Sequence, residues 1–329
     1  MYRFGRIVFA NYRRFNNLRN QVEFAPKKFN LKSPIKFISG ASIFSYFGST
    51  KTDEKLENEE ESELIMTMKR GILSVMRSEY DKAEQLYHLA LRNAQSVNNE
   101  PAVTYIYDLM ANLAYELGQL PKAEKLFVSV MQRLMEKDKA EEDDIRLLHI
   151  SSKIAHIAYQ QENFDKALVG YQYVLEKIQK RDYLNEENYH ELYGMVKNLI
   201  GQAFIAMNKY PEAKVALEEA HVIFKKYKDE MTDDGVILLN NLSCVCAELK
   251  QYESSLRYLN EAIEIAKKIE IDDLSPYHIN LGMLYLKQKL IEKARVSCSM
   301  GWKLASKYEN KEAIKAAERC LDEVKKATS

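Results

Sequence analysis

The side chains of this 329-residue chain that could do chemistry are few and poorly spaced for it. Cys244 and Cys246 stand two residues apart. On a helix such a pair points to different faces, and without a second pair it makes a poor metal site. These two and Cys298 read as small core residues. Four Cys in a chain of this length do not make a disulfide scaffold. His149 and His156 are seven residues apart on one helix face, but two His alone are an incomplete site, and packing or polar surface is the expected role. The sequence holds no phosphate-cradling glycine loop, no HExxH pair and no GxSxG elbow. No catalytic residue, metal or cofactor is therefore expected, which leaves recognition by amides and aromatic rings.

The elements that would carry those groups follow from composition. Hydrophobic residues make up 46% and charged residues 29%, enough to bury a sizeable core. Only 11 Gly and 6 Pro are present, low for a turn-dense β fold. No run approaches the ~20 apolar residues of a transmembrane helix. The zero net charge hides an asymmetry. Residues 1–52 hold ten Lys or Arg against the single acid Glu23, a net +9, so the other 277 residues, with 38 basic and 47 acidic, carry −9. In that body the basic residues are interspersed with acids, which disfavours nucleic acid as a partner.

The first twenty residues, MYRFGRIVFANYRRFNNLRN, interleave Arg with aromatic and aliphatic residues and contain no acid. That is the composition of a mitochondrial transit peptide, a cationic amphipathic helix drawn by a negative-inside potential. The longest apolar stretch, Ile7 to Ala10, is too short for a secretory signal. Residues 35–47 are mildly apolar, too short to span a bilayer unaided, and suit either a membrane-proximal segment or packing on the body of the protein. Seven acids among the eleven residues from Asp53 to Glu63 read as a linker. The expected organisation is 1–52 transit peptide and membrane-proximal segment, 53–63 acidic linker, 64–308 repeat array, and 309–329 capping helix and tail.

Self-similarity dominates the body. Six segments start with a small residue at Gly71, Ala111, Ala155, Gly201, Ser243 and Gly282. Twelve residues on, each has a second small residue: Ala83, Ala123, Ala167, Ala213, Ser255, Ala294. Three before that sits a large apolar or aromatic one (Tyr80, Leu120, Phe164, Tyr210, Tyr252, Ile291), and four after it stands Tyr87, Phe127, Tyr171, Leu217, Leu259 or Cys298. Two antiparallel helices, A and B, can approach closely where side chains are small, with large knobs filling the gaps beside the contact. Pro121 and Pro211 fall where B helices start, and Ser275-Pro276 reads as an N-cap and first residue of the last A helix.

The pattern resembles the tetratricopeptide repeat. Its spacings of 40, 44, 46, 42 and 39 residues exceed the usual 34 and imply longer helices. The resemblance implies an all-α, right-handed superhelix of about six helix-turn-helix repeats closed by a capping helix. The run from Tyr105 to Phe127, above all Tyr107-Asp108-Leu109-Met110-Ala111-Asn112-Leu113-Ala114, goes beyond repeat consensus and resembles the family of mitochondrial tetratricopeptide repeat protein 19. That resemblance implies a non-enzymatic protein of the mitochondrial inner membrane. Such proteins associate with respiratory complex III, support its assembly and upkeep, and are linked to removal of fragments of the Rieske iron–sulfur subunit. The alternative is a cytosolic cargo adaptor of the kinesin light chain type, which the long repeats and Asn240-Asn241-Leu242 favour, although residues 53–63 lack the expected heptads.

Stacked A helices line the concave side of such an array. The repeat register places Asp108, Asn112, Tyr115, His156, Tyr159, Asn198, Gln202 and Asn240 there, with Asn241 and Asn280 nearby. Amides can donate to and accept from the backbone of an extended peptide, and Tyr adds flat contact area; the same amides could instead bridge adjacent helices.

Overall fold

The computed structural model describes residues 56–180, 187–227 and 231–328. The expected transit peptide and membrane-proximal segment lie outside them. Thirteen helices are present among the described residues. Six A–B pairs come first: α1 (Leu56–Met76) and α2 (Tyr80–Ser96), α3 (Glu100–Glu116) and α4 (Leu120–Glu136), α5 (Ile145–Gln160) and α6 (Phe164–Lys180). Then come α7 (Glu187–Ala206) and α8 (Tyr210–Tyr227), α9 (Asp233–Glu248) and α10 (Tyr252–Lys268), α11 (Ser275–Lys287) and α12 (Ile291–Lys307), and last α13 (Lys311–Thr328). The chain divides between Lys166 and Ala167 into two compact units, one holding α1 to α5 and the other α7 to α13.

The B helices open at Tyr80, Leu120, Phe164, Tyr210, Tyr252 and Ile291, so Pro121 and Pro211 do fall at their starts. The six small residues three positions on are all fully buried. Their A-helix counterparts are small because the knob presses on them. A Cβ on Gly71 would come within 2.5 Å of the Tyr87 ring, and one on Gly201 within 2.5 Å of Leu217. In the fifth pair both small positions are Ser. Ser255 Oγ donates to the Ser243 carbonyl at 2.8 Å and lies 3.0 Å from Ser243 Oγ, so the polar version of the contact is satisfied internally.

Each A helix ends in the same turn. The residue after its C-cap adopts positive φ (Ser78, Gly118, Glu162, Asn208, Lys250, Lys289). The next N–H donates five residues back, as from Gln119 to the Ala114 carbonyl at 2.9 Å and from Gln251 to the Cys246 carbonyl at 2.7 Å. This is the Schellman motif, which satisfies the terminal carbonyls and reverses the chain. Glycine, which this backbone favours, occupies one of the six positions.

Three expectations are corrected. Helix α1 begins at Leu56, inside the stretch read as linker. Ser275 is the first residue of α11 and not its N-cap, which is Leu274; the Ser275 N–H donates to Asp273 Oδ1 at 2.9 Å. Cys298, read as a core thiol, is bonded to Cys320 of α13 in a disulfide. Cys244 and Cys246 are buried free thiols, as the sequence reading has them.

The turns give the first prediction. Nothing lies within 4 Å of a Cβ built on Gly118, so Gly118→Ala meets only backbone strain. It should lower unfolding free energy by about 1 kcal/mol, while Glu162→Gly should raise it by about 0.5–1 kcal/mol, both read by urea denaturation.

Candidate functional site

In the first unit the expected face is built by α3 and α5. Asp108 and Asn112 are one turn apart on α3, and both are half-buried. Asn112 Nδ2 donates to the Asp108 carbonyl at 2.7 Å. Its Oδ1 accepts from Lys153 Nζ of α5, also at 2.7 Å. Lys153 is 8% exposed, and its ammonium lies 5.3 Å from the Phe127 ring centre. Burial lowers the Lys153 pKa against the pull of Asp108. Burial likewise raises that of the Asp108 carboxyl, against Lys153 and the Asn112 amide. Each charge is therefore costly in isolation and is compensated by the other. His149, one turn before Lys153, is held at about 3 by burial and then by the Lys153 charge, so it is neutral at physiological pH.

The rings of this unit form a chain running inward. Tyr115 sits edge-on to Phe127 with centroids 6.4 Å apart and contacts His156 at 6.4 Å. His156 stacks on Tyr159 at 5.1 Å, and Tyr159 meets Phe164 at 5.6 Å. The Tyr115 hydroxyl accepts from Gln160 Nε2 at 2.9 Å. Tyr115, His156 and Tyr159 are all buried, so they pack α3, α4 and α5 together and present little surface.

In the second unit the amides pair across neighbouring A helices. Asn241 Nδ2 of α9 donates to Asn198 Oδ1 of α7 at 3.2 Å. Asn280 Nδ2 of α11 donates to Asn240 Oδ1 of α9 at 2.8 Å. Asn198 and Asn240 are fully buried, and Gln202 is 3% exposed. These three bridge or pack between helices and lie out of a ligand's reach in this conformation. Of the eight expected residues, Asp108 and Asn112 keep an accessible edge. Among the described residues, Asn198 Nδ2, Asn240 Nδ2 and Asn241 Oδ1 have no hydrogen-bond partner.

Lys153 escaped the sequence reading. The position two before the A-helix small residue is Lys69, Leu109, Leu199, Asn241 or Asn280 in the other repeats, and since Lys69 is exposed, a cation there gave no signal of burial. Among the described residues no group of three or more His, Cys, Asp or Glu converges to hold a metal. Among them, too, no helix is long and apolar enough to cross a membrane.

Two predictions test this face. Lys153→Met should cost about 3 kcal/mol by stranding Asp108, and adding Asp108→Asn should recover most of it in a double-mutant cycle. His149 binds its proton near 6.5 when unfolded and at about 3 when folded. Its neutral form thus stabilises the fold fully above pH 6.5, and that contribution is lost as pH falls toward 3. Thermal melts should decline less steeply over this window in His149→Gln than in the unmodified chain.

Residues 192–268 match the model of the tetratricopeptide repeat family. Solved structures share the fold at low identity. Aspartyl phosphate phosphatase F from Bacillus subtilis superposes with a TM-score of 0.61 at 13% identity, over 84% of this chain and 73% of that one. BtubC from P. vanneervenii gives 0.54 at 21% identity, over 74% and 92%. Both likenesses are of fold alone. Among relatives, the mitochondrial tetratricopeptide repeat protein 19 homolog of Drosophila melanogaster is 40% identical over 292 residues, 87% of this chain and 78% of the relative. Mitochondrial tetratricopeptide repeat protein 19 of Homo sapiens is 30% identical over 250 residues, 72% of this chain and 66% of the relative. The mitochondrial assignment that the Arg-rich leader suggested agrees with these relatives and sets aside the cytosolic adaptor. By these relatives the all-α repeat array is a mitochondrial protein, and the chain belongs to the family of tetratricopeptide repeat protein 19.

Proposed function

We propose that the chain is a non-enzymatic interaction protein of the mitochondrial inner membrane that supports assembly and maintenance of respiratory complex III. It binds a subunit or peptide, the Rieske iron–sulfur protein or its fragments, and aids its turnover. The observation that carries the reading is family membership, 40% identity over 87% of the chain, together with what the Tyr105–Phe127 resemblance implies. The α3 face supports it chemically. Asp108 lies on the accessible edge of that face, and a carboxylate there can accept from the backbone N–H groups of an extended segment. Asn112, held by Lys153, fixes the geometry of that edge. A rigid, pre-paired edge loses little entropy when a flexible segment settles on it.

Mitochondria lacking the protein should show reduced complex III activity and accumulated Rieske fragments. On native gels the protein should co-migrate with a complex III core subunit. Re-expressed Asp108→Ala, once its melt shows it folded, should restore neither activity nor fragment clearance to the level of the unmodified chain. Normal activity without fragments in the null mitochondria would sink the proposal; full rescue by Asp108→Ala would move the site off this edge.

A further inference from the structure

Cys298 of α12 and Cys320 of α13 are joined across 22 residues, with Cα atoms 5.8 Å apart. Both are fully buried. They sit in the C-terminal core with Ile279, Leu284, Ala313, Ala317 and Val324. A third helix is shaped to the bond. A Cβ on Gly282 of α11 would come within 2.5 Å of Cys298 Sγ and 3.1 Å of Cys320 Sγ, so only glycine lets α11 close over the pair. The fully buried residues of the capping helix are Ala313, Ala317, Cys320 and Val324, with Ile314 and Leu321 partly buried against the same core. A covalent tie adds to that contact by constraining the undocked state.

We infer that Cys298 and Cys320 are an oxidation site, filled after import by a disulfide-donating dithiol oxidoreductase, and that the array therefore works on the oxidising intermembrane side of the inner membrane and not in the matrix. Structural disulfides persist where thiols are not continually reduced, and the matrix pools of glutathione and thioredoxin reduce them. The inference rests on the mitochondrial family and is independent of the partner. In the first step one cysteine of the pair loses its proton to water, and its thiolate attacks a sulfur of the donor's disulfide. The donor S–S bond breaks, a mixed disulfide forms and one donor thiolate leaves. In the second step the other cysteine, deprotonated in turn, attacks this chain's sulfur in the mixed disulfide. The Cys298–Cys320 bond forms and the second donor thiolate leaves. The chain loses two electrons and two protons, and the donor ends as a dithiol. Because both sulfurs are buried once α13 is seated, oxidation precedes docking of the cap. Cys244 and Cys246 do not compete: both are buried, which pushes their thiols above the usual range and keeps them protonated.

The test uses intact mitochondria quenched in acid, denatured, and treated with a polyethylene glycol maleimide that adds a resolvable mass per thiol. The chain has four Cys. Two tags are expected without reductant and four after reduction; four tags without reductant overturn the site. In parallel, osmotic rupture of the outer membrane should expose the array to added protease. Persistence of the array until the inner membrane is dissolved overturns the compartment, even if two tags are found. In purified protein, Cys298→Ser with Cys320→Ser should release α13 to limited proteolysis, whereas Cys244→Ser with Cys246→Ser should not. Should the first pair of changes prevent folding, tag counting on the unmodified chain still decides.

Discussion

Everything in this molecule depends on how closely an A helix can approach its B helix. Gly71 against Tyr87 and Gly201 against Leu217 show the limit: no side chain fits on the A side, so a large ring or branched residue fills the space from the B side. Interiors pack at crystal-like density, and a single methyl group at such a contact forces atoms to shift. The Ser243–Ser255 pair keeps the spacing with a different chemistry, exchanging dispersion contact for mutual hydrogen bonds. The same contact recurs in each of the six pairs, with a fully buried small residue on the B side.

The expected inner face turned out drier than a groove. The A helices lie near enough for one amide to reach the next, as from Asn241 to Asn198 and from Asn280 to Asn240. In the first unit the same role falls to a cation, with Lys153 reaching back to Asn112 beside Asp108. A buried ammonium is expensive, and it persists because one carboxylate and one amide answer it. The accessible remainder is an edge of α3 and not a wide amide-lined channel.

How much of this could be read from the letters differs by feature. The B-helix starts were legible because the twelve-residue interval between small residues is a sequence quantity. That the amides belong to A helices was legible too, since the repeat register assigns the element. Their exposure was not: whether Asn198 meets water or Asn241 depends on a distance between α7 and α9 that no spacing encodes. The start of α1 was misread because acids are at once the composition of a linker and the favoured residues of a helix N-terminus. Cys298 had a register and Cys320 had none, since it lies beyond the last repeat, so their pairing had no sequence signal. Ser275 lost its expected role to Leu274, a shift of one residue, while Asp273 Oδ1 accepts from the Ser275 N–H.

The polar contacts between A helices differ from one junction to the next. Lysine meets asparagine between α5 and α3. Asn241 meets Asn198 between α9 and α7, and Asn280 meets Asn240, a neighbouring helix position, between α11 and α9. Arrays of similar modules are prone to pair out of order while folding, because one apolar face fits another nearly as well as its own. A junction keyed by a particular donor and acceptor rejects the wrong neighbour by leaving a buried amide or ammonium unanswered. These contacts thus work as an address system for the chain itself, fixing which module may follow which.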